Sequence, residues 1–226
     1  GPPIRRVAGS RQRTTLYVDV ADRVHVQDFE RLYGVRSATL APSYSAFDEI
    51  RQQAFRVIAR SEPISIEAAK DVDAVVGVFD TGVAAGVLDR WVDRRWTYDI
   101  GSDRDTTHGT FVAGIVAAAA SLNSAWTVLP RDTARVYDAQ ILPRTPVTED
   151  ILLDRIEEVL DQAGPDGPRV WNCSFNSNRC LDPTEYSTLG QSLDQLAREN
   201  GVLIVQSAGN YNALRATWPP DGSPGR

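Results

Sequence analysis

The stretch from Thr107 to Ala120, THGTFVAGIVAAAA, constrains the fold of this chain more than any other. It has the composition of an apolar helix but almost no bulk, because Gly109, Ala113, Gly114 and Ala117 to Ala120 leave the backbone nearly bare. A helix that is apolar all round is expected to be buried, and one this slim cannot fill a core alone, so a sheet must approach it closely. His108 stands at its mouth, where core meets water. The amino end of a helix favours the neutral form of an imidazole, and a neutral imidazole can act as a base. The same residue also reads as a satisfied histidine that caps a core helix.

The sheet is found in the pattern that begins at Asp73. Short apolar strands are expected over Ala74 to Phe79, Arg135 to Ile141, Arg169 to Phe175 and Gly201 to Ser207. Between them fall helices over Gly109 to Leu122, Thr148 to Ala163 and Pro183 to Asn200. The second carries Leu152, Ile156, Val159, Leu160 and Ala163 at a spacing near 3.6. The third has Asp182 as N-cap, Pro183 at its first position and Gly201 after its end. Strands alternating with helices imply an α/β class with a parallel sheet covered on both faces.

Four segments follow from this pattern. Residues 1–13, rich in Arg, Gly and Pro without periodicity, read as a flexible leader. Residues 14–44 read as a small α+β unit, with a strand over Thr14 to Val20, a helix over Val26 to Tyr33 and a strand over Val35 to Leu40. Residues 45–72 read as a helical connector, and 73–226 as the main domain. The tail beyond Tyr211 is turn-forming throughout, so the sheet is expected to lack a covering helix after its last strand, and the domain to be incomplete at its carboxyl end.

Charge and composition exclude some partners. A net charge of −6 and a pI near 5.0 argue against a nucleic-acid surface. Arg94-Arg95 reads as a solvated or salt-bridged pair. No apolar run reaches membrane-spanning length. The chain has no methionine and opens on Gly1-Pro2, which resembles a protease scar and hides any signal peptide, so the compartment is left open. Cys173 and Cys180 are close enough to bridge a short loop; alternatively Cys173 is a small core residue and Cys180 a loop thiol. No histidine lies near enough in sequence to make either a nucleophile or a zinc ligand.

In open parallel sheets the ligand crevice lies beyond the carboxyl ends of the strands. The first strand delivers Asp80-Thr81-Gly82 there, and a carboxylate in that place can hold an imidazole by its Nδ1 proton. Alone, the tripeptide equally suits an aspartic protease or a helix cap. The third strand leads into Asn172-Cys173-Ser174-Phe175-Asn176, whose edge could pair with an extended peptide. The last leads into Ser207-Ala208-Gly209-Asn210, which either offers an amide donor to a developing oxyanion or is a simple Gly-Asn turn.

Taken together and in this order, Asp80-Thr81-Gly82, the His108 to Gly114 run, Asn172-Cys173-Ser174 and Ala208-Gly209-Asn210 resemble the subtilisin-like serine proteases over about residues 70 to 212. The resemblance implies a three-layer subtilisin-like fold with a mostly parallel sheet, the small N-terminal unit standing in the place of a propeptide. It implies a triad in the chain order Asp, His, Ser, with Asp80 orienting His108. It gives Asn210 the oxyanion role, and Ser174, Phe175, Asn176, Ala208 and Gly209 to the substrate site. Calcium enters only through this resemblance.

Two departures stand out. Phe175-Asn176 follows Ser174 where the family usually has Leu-Gly, which crowds the primary pocket. The nucleophile motif, Gly-Thr-Ser opening a small-residue helix, does not occur, and Gly222-Ser223-Pro224 does not replace it. The expectation is therefore a serine endopeptidase acting on peptide or protein, here without its nucleophile and inactive alone, its partner being a C-terminal segment that carries the serine. The alternatives are a noncatalytic peptide-binding or regulatory module, an aspartic protease, and a metal site from Asp103, Asp105 and His108.

Overall fold

The computed structural model describes residues 4–10, 13–19, 41–46, 72, 74–86, 88–99, 101, 103–122, 128, 134–177 and 186–207. Among these described residues, ten strands come in chain order: β1 Ile4–Ser10, β2 Arg13–Val18, β3 Ser43–Ser45, β4 Val75–Asp80, β5 Val92–Thr97, β6 Arg135–Gln140, β7 Val147–Thr148, β8 Val170–Cys173, β9 Asn176–Ser177 and β10 Leu203–Gln206. Among the described residues three α-helices accompany them: α1 Thr107–Leu122, α2 Glu149–Ala163 and α3 Thr188–Asn200.

Five strands form one sheet in the order β10-β8-β4-β6-β5, and every pairing in it is parallel. Alternation along the strands sends their side chains into two cores, which makes the three layers of an α/β fold. Val78 and Val136 join Val112, Ala113, Ala117 and Ala118 of α1 on one face. Phe79, Tyr137, Ala139 and Trp171 meet the apolar stripes of α2 and α3 on the other. Trp171 is fully buried, and its ring stacks on Phe79 with centroids 4.4 Å apart. The four expected strands are all present, with no end shifted by more than two residues.

Several elements differ from expectation. β5, VDRRWT, is a fifth parallel strand on the edge beside β6, where charge hid the strand pattern. α1 is not buried all round: it turns Gly109, Val112, Ala113 and Gly114 inward and leaves Phe111 and Ile115 more than half exposed. α3 begins at Thr188 with Ser187 as N-cap, whose side chain accepts from the Gly190 N–H at 3.0 Å. Asp182 and Pro183, the expected start, lie outside the described residues. Gly201 ends the helix in the left-handed conformation, as its position suggests.

The expected leader carries β1, paired antiparallel with β2 in a hairpin. The Arg- and Gly-rich composition of residues 1–13 gives no sign of it, because its order comes from the β-prone partner RTTLYV rather than from its own pattern. The hairpin is a sheet of its own, separate from the five-stranded one. The expected helix over 26–33, the strand over 35–40 and most of the connector lie outside the described residues. Ser43–Ser45 forms the middle strand of a small sheet ordered β7-β3-β9. Tyr17 and Tyr44 both donate to Glu149, the buried first residue of α2, at 2.5 and 2.6 Å to its two oxygens. The N-terminal segments are thereby tied to the amino end of a helix in the main domain, where a carboxylate is favoured.

Candidate active site

β4 ends on Asp80, whose side chain is 2% exposed. Its backbone carbonyl accepts from the N–H groups of Ile141 and Leu142, at 3.0 and 3.1 Å, where the chain leaves β6. The chain then turns at Gly82, whose φ of +90° is a conformation that side-chain-bearing residues rarely adopt. The Thr81 N–H donates to Asp80 Oδ1 at 2.7 Å and fixes the carboxylate's orientation.

α1 brings His108 to the same place. Its Nδ1 lies 2.8 Å from Asp80 Oδ1 and 3.0 Å from Oδ2. Facing a carboxylate, Nδ1 carries the proton, and Nε2 is then the nitrogen that can accept one. The imidazole is 28% exposed, so it sits at the rim of the core with its orienting carboxylate beneath. The small residues of α1 make this approach feasible. Gly109 abuts the turn so tightly that a Cβ there would lie 2.3 Å from the Gly82 carbonyl oxygen, and its N–H donates to Thr81 Oγ1 at 3.0 Å.

The other expected site residues are spread differently. Ser174 accepts from the Asn172 side-chain amide at 2.8 Å and, among the described residues, forms no hydrogen bond to the Asp80–His108 pair. Phe175 is 1% exposed, and its ring meets Tyr44 edge-on at 6.2 Å, so it packs in the core instead of crowding an open pocket. Asn176 pairs with Ser45, so a segment of this same chain takes the edge expected for a peptide. Ala208, Gly209 and Asn210 lie outside the described residues, as does Cys180. Cys173 is a free thiol buried on β8, and burial pushes its pKa up, which suits a core residue and not a nucleophile.

Asp103, Asp105 and His108 do not gather. Asp103 accepts from the Thr145 N–H and hydroxyl, Asp105 accepts from the Thr107 N–H at 3.0 Å, and these hydrogen bonds hold both carboxyls below their usual range. Among the described residues no group of three or more His, Cys, Asp or Glu could hold a metal ion, and no helix is long and apolar enough to cross a membrane.

Sequence reasoning passed over a second tier of residues beneath the turn. Asp138 and Gln140 lie on the face of β6 that meets α1, both almost wholly buried. Gln140 donates to the Thr81 carbonyl at 2.8 Å, and Asp138 accepts from the Val83 N–H at 3.1 Å. Arg95, of the pair expected to be solvated or salt-bridged, forms an ion pair with Asp138 at 2.9 Å. The available signal was two polar residues, at 138 and 140, in a strand that otherwise reads as core.

Comparison with known proteins adds three findings. No curated protein matches the chain. Among solved structures, the MycP3 protease from the type VII (ESX-3) secretion system aligns at 23% identity and a TM-score of 0.39, over 76% of this chain and 51% of that one. The chain thus spans about half the length of that protein. The Peptidase_S8 model, described as the subtilase family, matches residues 71–224, the stretch that holds the parallel sheet and the Asp80–His108 pair, and on that match the chain belongs to the subtilase family of serine proteases.

Proposed function

We propose that this chain supplies the base and its orienting carboxylate for a subtilisin-type serine endopeptidase. The observation that carries the reading is the two-oxygen contact of Asp80 on His108 Nδ1 at 2.8 and 3.0 Å. In such a site Nε2 removes the proton from a serine hydroxyl as the oxygen attacks the scissile carbonyl. Asp80 keeps the ring in the right tautomer and stabilises the imidazolium that forms, and the imidazolium then protonates the departing amine. Asn210 is assigned to the developing oxyanion, and Ser174 with Ala208 and Gly209 to the substrate, while Phe175 packs in the core and Asn176 is paired with Ser45. The substrate is a peptide or protein.

The serine belongs to a segment beyond these 226 residues, since no Gly-Thr-Ser opening a small-residue helix occurs among them. Peptide hydrolysis by an extended protein that carries such a segment, set beside the 226-residue chain, tests the reading. Turnover only in the extended protein is expected. Equal turnover by both would move the nucleophile into this chain.

A noncatalytic peptide-binding module is the second reading. It is favoured by one observation: β3 adds to Asn176–Ser177 as an extended strand, which is how a bound peptide would be held. An extended protein that binds peptides without cleaving them would select it.

A further inference from the structure

We propose that Asp138 and Arg95 are positioning residues for the Asp80–His108 pair, setting the path of the turn at residues 81–84 on which the amino end of α1 is seated. The inference deepens the functional reading above and rests on it for the catalytic role of the pair. One guanidinium nitrogen, Arg95 Nη1, donates both to the Val83 carbonyl at 2.6 Å and to Asp138 Oδ2 at 2.9 Å. The same Asp138 oxygen accepts from the Val83 N–H at 3.1 Å. Both backbone polar groups of Val83 are therefore held by one ion pair. Arg95 Nη2 reaches on to Asp89 Oδ1 at 2.9 Å, and Asp89 Oδ2 accepts from the Gly86 N–H at 2.9 Å, so the loop after the turn is closed by the same side chain.

On its other side the turn bears directly on α1. The Ala84 N–H donates to Thr110 Oγ1 at 2.8 Å, two residues from His108, and Gly109 touches the backbone of Gly82. A shift of Val83 is passed to these contacts with little slack. Stability alone does not account for the pair, because burying the Asp138 carboxylate costs more than its part-exposed partner Arg95 returns. Burial pushes the Asp138 carboxyl up to about 6, and the nearby Asp80 adds to this, while the Val83 N–H and Arg95 only partly offset it. What the pair provides is a single path for the turn.

Two readouts separate positioning from scaffolding. In the 226-residue chain, whose histidines are His25 and His108, the Nδ1 proton of His108 is followed by NMR and assigned with His25→Gln. Asp138→Ala and Arg95→Met are expected to broaden or lose this signal, and Asp138→Asn, which keeps an acceptor for Val83, to restore it. In the extended protein, the first two variants should lower kcat roughly tenfold to a hundredfold, as a small misplacement of a base does, with KM nearly unchanged.

Should Asp138→Ala fail to fold, Arg95→Met decides, since the Arg95 side chain is 36% exposed. Variants that keep both the signal and kcat while losing only melting temperature would overturn the proposal. An extended protein that hydrolyses nothing would remove the functional reading but leave the NMR readout to decide positioning.

Discussion

Asp80 and His108 divide the labour between burial and access. The carboxylate lies under the core's rim and the imidazole above it, so orientation is fixed from below while the ring stays partly exposed. In an extended, active protein His108→Ala should abolish turnover, and Asp80→Asn, by releasing the tautomer, should lower kcat by about four orders of magnitude, with melting temperature little changed in either. Full activity in His108→Ala would remove the triad reading. Asp138 carries a separate prediction. Its carboxyl ordinarily titrates near 3.8 and in the fold near 6, so the folded chain binds its proton more tightly than the unfolded one. Its contribution to stability therefore grows as pH falls from above about 6 to below about 4, opposite in sign to Asp103 and Asp105. Subtracting the urea-unfolding curve of Asp138→Asn from that of the parent should expose this rise, and a flat difference would show that burial does not strain the carboxyl. Asp80 and His108 were legible because each sits in a contiguous motif beside the element that carries it. Asp138 and Arg95 were not, because their meaning lies in a pairing between strands 43 residues apart in the chain.

The elements were legible where one pattern decided them. The apolar strands and the stripe of α2 followed from periodicity alone. β5 did not, since an edge strand with one solvated face can be charged, and its register beside β6 is what makes it a strand. β1 depends likewise on its partner. The bareness of α1 was read correctly as room for close approach, and the structure says to what: Gly109 meets the Gly82 turn and not a strand. Gly109→Ala should consequently cost about 1–3 kcal/mol and weaken the His108–Asp80 contact, since backbone and not a flexible side chain stands in the way of the new methyl group. Calorimetry should show a fall of roughly 2–4 °C per kcal/mol for a chain of this size, and an unchanged melting temperature would mean that α1 can slide at no cost. Tyr17→Phe removes one of the two hydroxyls on buried Glu149 and should cost about 1–3 kcal/mol, read as faster proteolysis within the N-terminal hairpin. An unchanged cleavage rate would show that the hairpin is held by other contacts.

At the scale of the molecule, a parallel sheet sets the carboxyl ends of its strands along one rim, and family membership and the Asp80–His108 geometry coincide there. What the rim contains in full was not legible from sequence, because a site at strand ends is assembled from segments far apart in the chain, and Ala208 to Asn210 lie outside the described residues. The exposed apolar groups Phe111 and Ile115 on α1, and Leu203 and Val205 on β10, show that the sheet and its helix leave apolar surface uncovered. Under the proposed function, His108 and Asp80 act on a serine carried on another segment. A fluorophosphonate probe, which bonds covalently to an activated serine, tests this most directly. The 226-residue chain should be left unmodified, while a protein extended through a Gly-Thr-Ser helix should be labelled at that serine, and His108→Ala should abolish the labelling. Labelling of Ser174 or Ser223 in the short chain, or an extended protein that never reacts, would contradict this reading.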